Sequence, residues 1–199
     1  MITVLLADDQ AMVREALATL LSLEADIEVV GQTGSGLEVI AAVDTFDPDV
    51  VLLDIEMPGR TGIELAADLR DRRAAVLIVT TFGRPGYVQR ALAAGASGFV
   101  VKDAPAAQLA DAVRRVHRGE RAVDPDLAME TLAAGEDPLT GRERDVLRAG
   151  ADGGTVADIA RRVHLSQGTV RNHLSSAIGK LHARTRAEAV RIAQDSGWL

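Results

Sequence analysis

The first 118 residues switch back and forth between two hydrophobic periods, and no other feature narrows the folding options of the chain so far. ITVLLA (2–7), IEVVGQT (27–33), DVVLLD (49–54), AVLIVT (75–80) and SGFVV (97–101) have the length and β-branched content of strands. After each comes a stretch with helical spacing, at 10–23, 36–45, 61–71, 85–94 and 105–118. In the first of these, Val13, Leu17, Leu20 and Leu21 share one face, and Gly95 and Gly119 close the last two. Strands that alternate with helices imply right-handed βαβ crossovers and a parallel sheet. Strands that are apolar almost throughout fit a sheet covered on both faces. The expected fold class is α/β, a doubly wound five-stranded parallel sheet of order 2-1-3-4-5.

The remainder reads differently. Residues 119–137 (GERAVDPDLAMETLAAGED) are acidic and contain Pro125, with room for a short helix at 126–134. Residues 138–199 suggest four helices near 140–149, 155–162, 166–181 and 185–195, and Thr140…Glu143 and Thr185…Glu188 have capping-box spacing. The expected organisation is a first domain over 1–118, a linker over 119–137 and an all-α domain over 138–199. Charge divides along the same lines. The first segment has 11 Lys/Arg against 17 Asp/Glu, the linker 1 against 6, and the last segment 10 against 6. Only the basic tail is suited to a polyanion.

Cysteine is absent, which excludes disulfides and thiolate chemistry and fits a reducing compartment. The N-terminal MITVLLADDQ has neither a basic start nor an apolar stretch long enough for a signal peptide. No apolar run approaches the ~20 residues needed to span a bilayer. The expectation is a cytoplasmic protein without a membrane partner.

In a doubly wound sheet, side chains just past the strand C-termini converge at the crevice where strand order reverses. This chain places Asp8 and Asp9 after the first strand, Asp54 at the end of the third, Thr80 and Thr81 at the fourth and Lys102 after the fifth. Asp9 alone would read as a helix N-cap, and Asp54 alone as a common strand-end acid. Three carboxylates in one crevice repel each other and call for a cation, and oxygen ligands favour Mg²⁺. With a phosphoryl group held there, Asp54 could attack phosphorus, Lys102 could pair with one oxygen and the Thr80 hydroxyl with another. The Pro58-Gly59 turn would let the Glu56 carbonyl face the metal.

In the tail, Val170, Leu174, Ala177, Ile178 and Leu181 fall on one helical face, with Ser166 as a candidate N-cap. Asn172 and Ser175 point away from that face, Gly168 and Gly179 lie beside them, and Arg171 is at the flank. A small outer face lets a helix enter a groove, where Asn can pair with adenine and Arg with guanine. The bland alternative is a helical bundle with a solvated polar side.

The DD pair at 8–9, LLDIEMPGRTG around Asp54, TT at 80–81 and GFVVKD at 98–103 resemble a response-regulator receiver domain. LTGRERDVLRAGADGGTVADIARRVHLSQGTVRNHL resembles the LuxR-type helix-turn-helix domain, and together the two halves resemble the NarL/FixJ class. Residues 80–91, SQGTVRNHLSSAI and the SGWL ending are similar to the DesR group in particular. The resemblance implies a phosphorylation-dependent, DNA-binding transcriptional regulator, not an enzyme, whose Asp54 takes phosphate from a sensor histidine kinase. It implies Mg²⁺ held by Asp9, Asp54 and the Glu56 carbonyl, with Asp8 acting partly through water. Thr80 and Phe99 match the switch pair. Base contacts fall near Arg171, Asn172 and Ser175, and phosphate contacts on Ser166, Thr169 and Lys180 of a promoter-DNA site. Two departures stand out: Asp103 replaces the proline common after Lys102, and Ser175 replaces a frequent lysine. Glu56 and Phe82, two residues past the nucleophile and the hydroxyl, are candidates for controlling phosphate lifetime.

Phosphorylation is expected to promote a homodimer. Some of the surface formed by Met12, Val13 and Leu17 of helix 10–23 and Leu109, Val113 and Val116 of helix 105–118 is a candidate for pairing, although most of these residues read as core. Two rivals remain: a phosphatase of the haloacid-dehalogenase type, which carries its nucleophile after the first strand, and a phosphate-independent DNA-binding module.

Overall fold

A computed structural model describes residues 1–81, 83–135 and 137–199. Phe82 lies outside the described residues. The chain divides into two compact units, one of residues 1–83 and 88–129, the other of 130–199 with 84–87.

In the first unit, strands β1 (Ile2–Ala7), β2 (Ile27–Thr33), β3 (Val50–Leu53), β4 (Ala75–Thr80) and β5 (Gly98–Val101) all pair in parallel. Helices α1 (Ala11–Ser22), α2 (Val39–Phe46), α3 (Gly62–Asp68), α4 (Pro85–Ala94) and α5 (Ala106–His117) connect or follow them. The sheet has six strands in the order β2-β1-β3-β4-β5-β6, and not five: Ala122–Val123, inside the stretch read as linker, adds β6 along the free edge of β5. Two residues are too few to show a period in sequence. Gly98 makes the pairing possible, because a Cβ there would lie 2.7 Å from the Ala122 carbonyl oxygen. Helix α2 also starts three residues later than its spacing suggests. Residues 35–38 form a turn instead, in which Glu38 N–H donates to the Ser35 carbonyl and the Glu38 carboxylate accepts from Thr33 Oγ1 at 2.6 Å.

Side chains alternate across the sheet as the pleat requires. Val4, Leu6, Val50, Leu52, Leu77, Val79 and Val100 pack with Leu21 of α1 and with Leu109, Val113 and Val116 of α5. Thr80 and Phe99, each next to one of these, therefore lie on the opposite face. Leu109, Val113 and Val116 are buried, so of their two readings the core one holds and they are withdrawn from the pairing surface, because the covering of the sheet already uses them. Met12 remains 83% exposed.

After helix α6 (Pro125–Ala133), the second unit contains α7 (Gly141–Ala149), α8 (Val156–Arg162), α9 (Gln167–Lys180) and α10 (Arg186–Asp195). Their N-termini are capped by Thr140, Thr155, Ser166 and Thr185. The box at Thr140 is complete, with Glu143 returning a bond to the Thr140 N–H. At Thr185 the cap is one-sided, because the Glu188 carboxylate accepts from Arg184 N–H. Val146, Leu147, Ile159, Val170, Leu174 and Trp198 form the centre of this core. No helix among the described residues is long and apolar enough to cross a membrane.

Candidate functional site

The adjacency of β1 and β3 sets the acidic crevice, with Ala7 opposite Leu53 so that the next residues of both strands emerge side by side. Asp8, Asp9 and Asp54 each bring a carboxylate oxygen within 4.8 Å of the others, and this is the one such metal-competent group among the described residues. Asp9 is exposed and does not cap α1, whose N-cap residue is Gln10 and carries no side-chain cap bond. The capping explanation of Asp9 is thereby removed. Asp8 and Asp54 are almost fully buried, at 2% and 5% exposure.

Each buried acid has a backbone donor that fixes its side chain. Gln10 N–H donates to Asp8 Oδ1 at 2.9 Å, and Ile55 N–H donates to Asp54 Oδ1 at 2.7 Å. Lys102 bridges them, its Nζ 2.7 Å from Asp8 Oδ2 and 2.7 Å from Asp54 Oδ2. Burial by itself lowers the Lys102 pKa, but its hydrogen bonds and charge pairing with Asp54 and Asp8 outweigh this and raise it. The pairing therefore favours the ammonium form. Three carboxylates and one ammonium leave a net charge of about −2, and the open oxygen ligands on Asp9 and its neighbours suit a hard divalent cation.

Thr80 is buried at the end of β4, and its carbonyl accepts from Lys102 N–H at 2.7 Å. Phe99 is wholly buried in β5, opposite Ile78 of β4 and Val123 of β6. Glu56 is exposed in the loop between β3 and α3. That loop is closed on both sides, by Gly36 N–H donating to the Pro58 carbonyl and by Gly62 N–H donating to the Ile55 carbonyl. Gly62 starts α3 directly against the end of β3, where a Cβ would fall 2.1 Å from the Asp54 carbonyl oxygen. Two contributors escaped the sequence reading. Arg14 of α1 donates to the Asp8 carbonyl, and its only sequence signal is a lone cation shortly after the acid pair. Gly62 reads in sequence only as an early residue of the helix expected over 61–71.

The second candidate surface is α9. Gly168, Arg171, Asn172, Ser175 and Gly179 are all exposed, while Val170, Leu174 and Ala177 are buried. Ser166 Oγ accepts from Thr169 N–H at 3.1 Å and lies 2.8 Å from Thr169 Oγ1, so both hydroxyls sit at the helix N-terminus. Arg171 extends back along the helix to Gln167 Oε1 at 3.3 Å. Lys180 stands apart from this group, with its Nζ 2.8 Å from Glu143 Oε2 of α7.

Residues 4–114 match the response regulator receiver domain family, and residues 137–193 match the luxR family of bacterial regulatory proteins. The chain is 44% identical over 199 residues to the transcriptional regulatory protein DesR of Bacillus subtilis (strain 168), covering 100% of both. It is 45% identical over 201 residues to the uncharacterized transcriptional regulatory protein YvfU of the same organism, again covering 100% of both. Among solved structures, the response regulator ChrA of a heme-sensing two component system is 33% identical, with 100% of this chain and 98% of that chain covered and a TM-score of 0.59. An RcsB–DNA complex shares the fold at 23% identity, with 98% of each chain covered and a TM-score of 0.68. The chain belongs to the response regulators that join a receiver domain to a luxR-type helix-turn-helix domain, and it is a DNA-binding transcriptional regulator.

Proposed function

We propose that Asp54 is the phosphoryl acceptor, that a sensor histidine kinase is the donor, and that the phosphorylated chain pairs with a second copy and binds promoter DNA. The observation that carries this reading is the Lys102 ammonium set 2.7 Å from both Asp8 and Asp54 in a buried crevice with a third acid at its mouth. Asp8, Asp9, Asp54 and the Glu56 carbonyl would hold Mg²⁺, which neutralises phosphoryl charge when bound. An Asp54 carboxylate oxygen forms the new bond to phosphorus as the bond from phosphorus to the donor nitrogen breaks, and that nitrogen keeps the electron pair. Lys102 then exchanges a carboxylate partner for a phosphoryl oxygen. The Thr80 hydroxyl bonds another oxygen, while Phe99 moves with Thr80 on the same face of the sheet.

At the other end, Arg171, Asn172 and Ser175 supply base contacts, and Ser166 and Thr169 phosphate contacts. Identities of 44% to DesR and 45% to YvfU favour neither regulator's target over the other's. Radiolabelled acetyl phosphate tests the first step. Asp54→Asn is expected to take up no label while its circular dichroism stays that of the unsubstituted chain. Label retained on that variant would remove Asp54 from the role. Steady turnover of phosphoester substrates would instead favour the phosphatase reading.

A further inference from the structure

We propose that Lys180 is not a DNA-phosphate contact but half of a lock, with Glu143 as the positioning residue that sets the angle of α9 on the second unit. This goes beyond the DNA-binding reading and rests on it. Glu143 is a buried acid in the first turn of α7 and has a full set of donors. Ser176 Oγ donates to its Oε1 at 2.7 Å, while Lys180 Nζ at 2.8 Å and Thr140 N–H at 2.7 Å donate to its Oε2. Burial pushes the Glu143 carboxyl pKa up, but Lys180, Ser176 and Thr140 together bring it down to about 2.

Helical geometry separates Lys180 from the reading face. At about 100° per residue, Asn172, Ser175 and Gly179 cluster on the outer side, and Arg171 and Lys180 project from opposite flanks roughly 180° apart. Ser176 and Lys180, four residues apart, share the flank that meets α7. A groove-facing cation has no reason to be held by a buried carboxylate. A cation that fixes the second half of a recognition helix against its scaffold does.

The two roles predict opposite behaviour. A phosphate contact adds about 0.9 to the slope of log affinity against log salt. If Lys180 touches phosphate, Lys180→Met lowers that slope by about 0.9, and Glu143→Gln strengthens binding by releasing the lysine. If it is a lock, Lys180→Met and Glu143→Gln each weaken binding, by about tenfold at every salt concentration, with the slope unchanged.

The measurement uses the full chain and a fluorescein-labelled, mixed-sequence 30-base-pair duplex titrated across KCl concentrations. It is made at a temperature where the fluorescence of Trp198, the single tryptophan and part of this core, shows every variant folded. Affinity lost while every variant remains folded at that temperature is what a merely structural role would not give. Arg171→Met is the parallel arm for the DNA face itself, because on a duplex without an operator the Arg171 guanidinium meets phosphate rather than a chosen base. A slope that falls for Arg171→Met but not for Lys180→Met supports the lock. A slope that falls for Lys180→Met, or tighter binding by Glu143→Gln, overturns it. A slope unmoved in Arg171→Met overturns the assignment of the DNA face instead. Tryptophan melts of Glu143→Gln, Lys180→Met and the double variant test the pair without DNA. The double variant should lose no more than the worse single variant, and additive losses would end the proposal.

Discussion

Lys102 offsets one of the three carboxylate charges in the crevice, and its neighbours Asp8 and Asp54 have no access to bulk water that could replace it. Lys102→Met should therefore destabilise the receiver by about 3–5 kcal/mol, the usual consequence of leaving buried charges without their partner. Added Mg²⁺ should recover a large part of that loss, because a divalent cation answers the same deficit. Urea unfolding followed by circular dichroism, with and without Mg²⁺, measures both effects; a variant as stable as the parent in chelator would contradict the assignment of charge. Gly62 offers a second residue-scale test. Any side chain there must displace the Asp54 carbonyl or the start of α3. Gly62→Ala should slow acetyl-phosphate labelling and lower the melting temperature, whereas Gly179→Ala, inside α9 with open space around it, should leave labelling alone and stabilise the chain slightly.

At the scale of elements, the α7–α9 clamp has a pH signature. The folded-state pKa of Glu143 is depressed from 4.5 to about 2, so its contribution is fully present above about 4.5 and is lost as pH falls toward 2. Trp198 melts between those values should show a fall that Glu143→Gln largely lacks, and equal pH profiles for the two proteins would remove Glu143 as its source. The β6 strand makes another prediction. A receiver ending at residue 118 leaves the hydrogen-bonding edge of β5 bare, and should aggregate more and melt lower than one ending at residue 134. Light scattering of the two fragments decides this.

Among the described residues, the five long strands and nine of the helices were legible because each shows its period, α6 was legible as room for a short helix at 126–134, and the caps at Thr140, Ser166 and Thr185 marked the starts of theirs. The pocket was legible because strand ends are legible: once the order of β1 and β3 is inferred, Asp8, Asp9 and Asp54 must meet. What stayed hidden depends on non-local approach. Ala122–Val123 is a strand only because β5 has a free edge beside Gly98. Glu143 advertised its role as a cap partner but not its bond to Lys180, 37 residues away. The apolar positions of α5 could be either core or surface until the sheet claimed them.

For the molecule as a whole, the pairing hypothesis now rests on α1, where Met12, Leu20 and Leu23 remain exposed. Sedimentation velocity with beryllofluoride and Mg²⁺ should shift the mass toward two chains, and Met12→Arg should weaken that shift without reducing labelling of Asp54. An unchanged monomer in both would remove phosphorylation-driven pairing. The sheet constrains how such a signal can travel. Thr80 and Phe99 lie on one side of it, while α1 and α5 lie on the other, separated by a buried layer of Val and Leu. On the proposed reading, a phosphoryl group would reach those helices round the rim, at the Asp8–Gln10 corner where β1 hands the chain to α1 and Arg14 grips the backbone, and at the Lys102 turn that leads into α5.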